Sequence, residues 1–146
     1  MTVDTWSLVV HPEVHEWLYE IRKADRTAAT LTVRAIQQVL EGDGPQERRP
    51  LVDRIKGSRV RELRELRPAP VGHLEVRVLF AFDAARRVVL LVAGDSSGNW
   101  TRWQREAVPL AEQRYREYQE SIHRTAEPAI REEPGWGTGI RGTEHA

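Results

Sequence analysis

The chain has 146 residues, 40 % of them hydrophobic and 30 % charged, as expected of one globular domain with one core. It contains no cysteine, which excludes a disulfide scaffold, a zinc–thiolate site and a thiol nucleophile. Its 22 basic and 22 acidic residues cancel, and that total argues against a strongly basic nucleic-acid binder.

The distribution of charge is less even than the total. Residues 1–47 carry 4 basic and 8 acidic side chains, residues 48–87 carry 11 and 5, and residues 88–146 carry 7 and 9. The middle stretch therefore holds +6 against −6 in the flanks. Such a stretch attracts a polyanion even on a neutral chain; the alternative is a solvated face of mixed salt bridges. Among the 22 basic residues only Lys23 and Lys56 are lysine. Arginine forks suit phosphate and base stacking, so the bias fits RNA contact. It fits a GC-rich genome equally well. No apolar run approaches the ~20 residues of a membrane helix. The first ten residues lack the basic and long apolar stretches of a signal peptide, so a cytoplasmic protein is expected.

In chain order, Thr5–Val10 is apolar and β-branched and predicts a strand. Pro12 suits the first turn of a helix, on which Val14, Trp17, Leu18 and Ile21 share one face. Asp25 is placed to cap a second helix from Arg26 to Glu41, with a buried stripe of Ala28, Leu31, Ala35, Ile36 and Val39 or its rotation by one position. Gly42 and Gly44-Pro45 stop it. The two helices read as an αα-hairpin. Leu63–Arg67 is a charged strand, half exposed or near an edge. Leu74–Asp83 alternates, with Val76, Val78, Phe80 and Phe82 on one face and Glu75, Arg77, Leu79 and Ala81 on the other. A turn over Asp83–Arg86 leads to the central strand Arg87–Ala93. Gly94–Asn99 is a loop, Pro109 marks the start of the last helix, and Ala111, Tyr115, Tyr118 and Ile122 form its stripe. Proline, glycine and glutamate then replace periodicity, so residues 1–125 are expected to form the domain and residues 126–146 a disordered tail. The resulting fold class is α+β: a small, mainly antiparallel sheet covered on one face by the helical hairpin, with a C-terminal helix. The sheet face carrying Arg77 is expected to stay open or partly covered.

Three segments together resemble a known family. They are PLVDRIKGSRVRELRELRP (Pro50–Pro68), EVRVLFAFD (Glu75–Asp83) and RVVLLVAGDSSGNWTRW (Arg87–Trp103), followed by a helix holding Ala111, Tyr115 and Tyr118. The pattern resembles the RelE/ParE superfamily of bacterial toxins, in its phage-derived HigB-like branch. That branch runs through an ELRP strand end, a strand arginine before F-F-D, and GDKSG-W-x-x-WY. The resemblance implies a RelE-like fold and the toxin of a type II toxin–antitoxin system. It implies an mRNA endoribonuclease that cuts on the translating ribosome and is silenced by a helix-turn-helix antitoxin. At two positions the chain departs from the pattern: the family's lysine is Ser96 and its aromatic after the second tryptophan is Gln104. A toxin fold that binds a protein target without hydrolysis, as the ParE side does with gyrase, is the alternative.

Cleavage of RNA without metal needs a base for the 2′-hydroxyl, cations for the charged phosphorane and an acid for the leaving oxygen. The sequence has no phosphate loop, no nucleophile elbow and no metal-ligand spacing, so no metal or cofactor is expected. Arg77 matches the family's strand arginine and is the first candidate for charge stabilisation, against a surface arginine paired with Glu75 or Glu65. Arg67 ends the ELRP strand, where it either neighbours Arg77 or makes a structural salt bridge. His73 suits a general base by its intrinsic pKa, against a free loop histidine. Asp95 matches the family's GD and either orients an arginine or caps a turn. Lys56, Arg59 and Arg102 are candidate phosphate contacts, against solvated surface. Trp100 and Trp103 are candidate base-stacking groups, against core residues beneath the last helix.

Overall fold

The structure, a computed structural model, describes residues 6–47, 50–125 and 137–138. The first strand, β1 (Ser7–Val10), ends at His11, whose Nδ1 accepts from the Glu13 N–H and so caps α1 (Pro12–Ala24). Asp25 caps α2 (Arg26–Leu40) as its sequence position implies, Oδ1 accepting from the Ala28 N–H at 3.0 Å. The buried stripe of α2 keeps Ala28, Ala35, Ile36 and Val39 but takes Ala29 and Thr32, while Leu31 is only half-buried. Thr32 tolerates full burial because its hydroxyl donates to the Ala28 carbonyl.

Four further strands follow: β2 (Val52–Arg54), β3 (Leu63–Leu66), β4 (Val76–Phe82) and β5 (Arg87–Asp95). Then come α3 (Trp100–Thr125) and a two-residue strand, β6 (Gly137–Thr138). The sheet order is β2-β3-β4-β5-β1-β6, antiparallel throughout except for the parallel pair β1 and β5. This is the expected α+β fold, consistent with a RelE-like architecture. The expectation of a disordered tail falls on residues outside those described, apart from Gly137 and Thr138. Those two pair with Val10 and Val9 on the outer edge of β1.

Each sheet face carries a core. On one face Val76, Val78, Phe80 and Phe82 pack with Val88 and Leu90 beneath the helical hairpin. On the other, Leu79, Ala81, Val89 and Leu91 pack under Ala107, Ala111, Tyr115 and Tyr118 of α3. The Arg77 face is therefore largely covered, because α3 starts at Trp100 rather than at Pro109. Asn99 is the real cap, its Oδ1 accepting from the Arg102 N–H at 2.9 Å. Pro109 lies inside the helix on its exposed side, where its ring meets solvent and not packed core.

A second correction concerns β3. Every residue of this strand is buried, Arg64 and Glu65 included. The sequence reading lacked β2, which pairs with β3 and moves it off the edge of the sheet. Arg64 turns its guanidinium back onto the carbonyls of Arg61 and Leu63.

Polar pegs hold α3 to the sheet. The β4–β5 register shifts between Leu79 and Phe80, which leaves Leu91 as the extra residue on β5. Arg114 of α3 donates to the Leu91 carbonyl at 2.7 Å and to Glu13 of α1 at 2.8 Å. At the β4–β5 turn, buried Asp83 accepts from the Tyr118 hydroxyl at 2.6 Å, from Arg87 Nε at 2.8 Å and from the backbone N–H groups of Ala85 and Arg87. Burial, and then the bond to Asp83, push the Tyr118 phenol well above its ordinary value. Replacing Asp83 strands all four donors. Asp83→Ala is expected to destabilise the protein by about 2–3 kcal/mol, read as a lower urea midpoint at unchanged slope.

Candidate functional site

The β3–β4 register pairs Leu66 with Val78, and one further step sets Arg67 beside Arg77. Side chains alternate along a strand, so Glu65, Arg67 and Arg77 all project toward α3. The first turns of that helix reach down to meet them. Glu65 is the meeting point and is 1 % exposed. Its Oε2 accepts from Trp100 Nε1 at 3.3 Å and Gln104 Nε2 at 3.5 Å, and its Oε1 lies 3.7 Å from Arg67 Nε. Burial pushes the Glu65 carboxyl above its ordinary value; Arg67, Arg77 and the Trp100 N–H pull the other way without cancelling it.

Arg77 is almost covered, with 11 % of its side chain exposed. One terminal nitrogen donates to the Val76 carbonyl at 2.9 Å, and the other stands 3.9 Å from Glu75. Its Nε is buried with no hydrogen-bond partner among the described residues. Burial, then the neighbouring Arg67, lower its pKa. Arg67 is better paired: Nη1 lies 3.2 Å from Asp53 Oδ2, and the side chain remains 27 % exposed. Two guanidinium groups thus converge at one edge of α3, one of them with an N–H left over.

The other candidates lie around this cluster. Trp100 joins it through its indole N–H and still exposes 39 % of its surface. Trp103 packs into the second core, over the backbone of Gly94. A Cβ on Gly94 would meet Trp103 Nε1 at 2.6 Å, which explains a glycine at the end of β5. Asp95 is a turn holder. Its Oδ1 accepts from the N–H groups of Glu75 and Ser97. Burial opposes its charged form, yet these donors outweigh it and hold the carboxyl below its ordinary value. Ser96 is buried, its hydroxyl donating to the Glu75 carbonyl at 3.0 Å. His73 sits exposed on the turn closed by Val71 and Leu74, with no bond to Arg67, Arg77 or Glu65. Lys56 and Arg59 are exposed in the β2–β3 loop, which Glu112 of α3 clamps through the Ser58 hydroxyl and the Arg59 N–H. Arg102 is exposed and lies 3.8 Å from Glu106.

The structure therefore brings together Arg67, Arg77 and Trp100, and leaves His73, Asp95, Lys56, Arg59 and Arg102 outside that cluster. Two members escaped sequence reasoning. Glu65 lies between two arginines in a strand that looks amphipathic and edge-like, and Gln104 stands out only as a departure from an aromatic position. A carboxylate at i with arginine at i+2, followed by proline, was the available signal.

The chain belongs to the family described as phage derived protein Gp49-like (DUF891), whose pattern matches residues 19–116. It is a member of the HigB-like branch of toxin–antitoxin toxins. Two relatives come from Mycobacterium tuberculosis (strain ATCC 25618 / H37Rv). A protein assigned as toxin HigB3 is 35 % identical over 117 residues, which cover 80 % of this chain and 96 % of that protein. A protein assigned as toxin HigB2 is 45 % identical over 94 residues, which cover 64 % of this chain and 46 % of that protein. No solved structure matches the chain significantly.

The electrostatics of the cluster can be read directly. Arg67 and Arg77 each lower the Glu65 pKa, so removing either should raise it. In a carboxyl-carbon NMR titration, Arg77→Ala is expected to move the Glu65 midpoint further up. A midpoint that stays or falls would show that the two groups do not interact.

Proposed function

We propose that this chain is the toxin of a type II toxin–antitoxin pair and a metal-independent endoribonuclease that cuts mRNA on the translating ribosome. The observation that carries the reading is the buried, unpartnered Nε of Arg77 beside Arg67. An arginine held nearly dry and only partly satisfied has capacity for one more acceptor, and a phosphate oxygen supplies it. In the reaction the 2′-hydroxyl attacks the adjacent phosphate and charge builds on the non-bridging oxygens. Arg77 and Arg67 meet that charge as preorganised donors. Asp95 holds the turn that carries Glu75 and so steadies β4 at Arg77. His73, four residues before Arg77, is the proposed proton acceptor, and Trp100 the proposed stacking platform. Lys56, Arg59 and Arg102 line the approach as phosphate contacts, while Trp103 acts beneath them as a packing residue.

Two observations favour a second reading, a toxin fold that grips a partner without hydrolysis. Ser96 is buried where the family carries lysine, and Gln104 is turned onto Glu65 where the family carries an aromatic ring. The cluster also sets two arginines among three carboxylates, Asp53, Glu65 and Glu75.

Expression of the chain alone, with primer extension on cellular mRNA, separates the two. Mapped cuts support the nuclease; growth arrest without cuts supports the second reading. For the nuclease, Arg77→Ala should lower the cleavage rate by on the order of 10²–10³. Arg77→Lys should also lose most activity, because it keeps the charge but not the fork. Circular dichroism should report a folded protein in both cases. Full cleavage by a folded Arg77→Ala protein would remove this residue from the mechanism.

The same reading calls for a helix-turn-helix antitoxin that covers the basic surface of the β2–β3 loop, where Arg54, Lys56, Arg59 and Arg61 are exposed. Acidic side chains suit that surface, so the complex should weaken as salt rises. An affinity that does not change with salt would point to apolar docking elsewhere.

A further inference from the structure

We propose that Trp100 and Gln104 form a nucleobase subsite that selects a base bearing an exocyclic amine, adenine or cytosine; this rests on the RNA reading above. The argument starts from Glu65 Oε2. That oxygen accepts from Trp100 Nε1, so it carries no proton to offer, and toward Gln104 it acts again as an acceptor. Only the NH₂ end of the Gln104 amide can face it. The amide is thereby fixed in one orientation, and its Oε1 is turned away from Glu65. No donor among the described residues reaches that oxygen, and the side chain is only half-buried. Gln104 thus presents a carbonyl, not an amine.

The same carboxylate fixes Trp100. Its one polar atom is used on Glu65, so the 39 % of the residue that remains exposed offers apolar ring. Trp100 and Gln104 are four apart on α3 and share a face. A ring surface for stacking therefore stands beside a single acceptor. Stacking tolerates any base, whereas an acceptor discriminates. It rewards the amine of adenine N6 or cytosine N4 and faces a carbonyl at the matching edge of guanine or uracil. Arg67, 3.7 Å from the other oxygen of Glu65, sets a phosphate contact next to the base contact. Glu65 is then a positioning residue: buried and out of reach of substrate, it fixes the polarity of the group that does the reading.

The test uses the full chain and 2′-fluoro oligonucleotides, whose sugars lack the attacking hydroxyl. A homopolymer of adenosine is compared with one of purine riboside, which stacks alike but has no exocyclic amine. By fluorescence anisotropy the adenosine strand should bind on the order of 3- to 10-fold more tightly, the worth of one net hydrogen bond. Gln104→Met, close in volume, should bring the ratio to one while leaving purine riboside binding unchanged; Gln104→Leu serves if the first variant folds poorly. Trp100→Ala should weaken both strands alike. Glu65→Gln, which frees the amide to turn over, should also shrink the ratio. Equal binding of the two strands by the wild-type chain would overturn the subsite and leave the RNA reading standing, as would a ratio that survives Gln104→Met. If neither strand binds, the RNA reading itself falls and the subsite falls with it.

Discussion

A carboxylate with 1 % exposure organises one end of this molecule. Glu65 sits in the middle of the sheet, yet its partners come from three elements: Arg67 just beyond its own strand, Arg77 on β4, and Trp100 and Gln104 on α3. Burying a lone carboxylate is costly, and a pair or network returns that cost only when its geometry is good. Here the network is incomplete. The nearest cation is 3.7 Å away, one amide contact is 3.5 Å long, and the neighbouring Arg77 keeps an unpaired N–H. A purely structural cluster gains nothing from such gaps, since apolar residues of similar volume would pack as well or better. The arrangement makes better physical sense as a set of groups held ready for a ligand that completes it.

That readiness depends on α3 being held firmly. The helix is tied to the rest of the chain along its length by polar contacts of high directionality. Glu65 receives its first turns, Glu112 clamps the β2–β3 loop, Arg114 bridges the Leu91 carbonyl and Glu13, and Tyr118 reaches Asp83. Between these pegs Ala107, Ala111 and Tyr115 supply apolar burial. Apolar contact alone lets a helix slide or roll by a fraction of a turn; a hydrogen bond at 2.6–2.8 Å does not. The pegs therefore fix where Trp100 and Gln104 stand relative to the arginines. Preorganisation of this kind gives charged donors their worth in a site that excludes water.

Much of the fold was legible because periodicity and capping are local. The αα-hairpin follows from Asp25, Pro12 and one apolar stripe each, and β4 follows from strict alternation. What was not legible depended on partners distant in sequence. The segment Val52–Arg54 is too short and too charged to declare itself a strand, and without it β3 reads as an edge. The start of α3 was placed at Pro109 because proline favours a first turn, but Asn99 ten residues earlier supplies a side-chain cap and wins. That one displacement brought Trp100, Trp103 and Gln104 onto the helix and over the sheet. Arg77 and Arg67 were found because a strand arginine on the face away from the apolar side chains is conspicuous. Glu65 was missed because a charged residue between arginines looks solvated until something is known to cover it.

The neutral total charge conceals the same lesson. A polyanion responds to the local field within roughly a Debye length, about 8–10 Å at ordinary salt, not to a sum over the chain. The exposed arginines and lysine of the β2–β3 loop form a field of one sign, whereas the cluster beneath α3 mixes signs and is nearly dry. These two regions suit different tasks. The loop attracts from a distance and is open to screening by salt. The cluster is shielded from solvent, so its few unsatisfied donors discriminate by geometry once a phosphate has been delivered. Separating attraction from recognition allows a chain of zero net charge to bind a polyanion without the nonspecific adhesion that a uniformly basic surface brings.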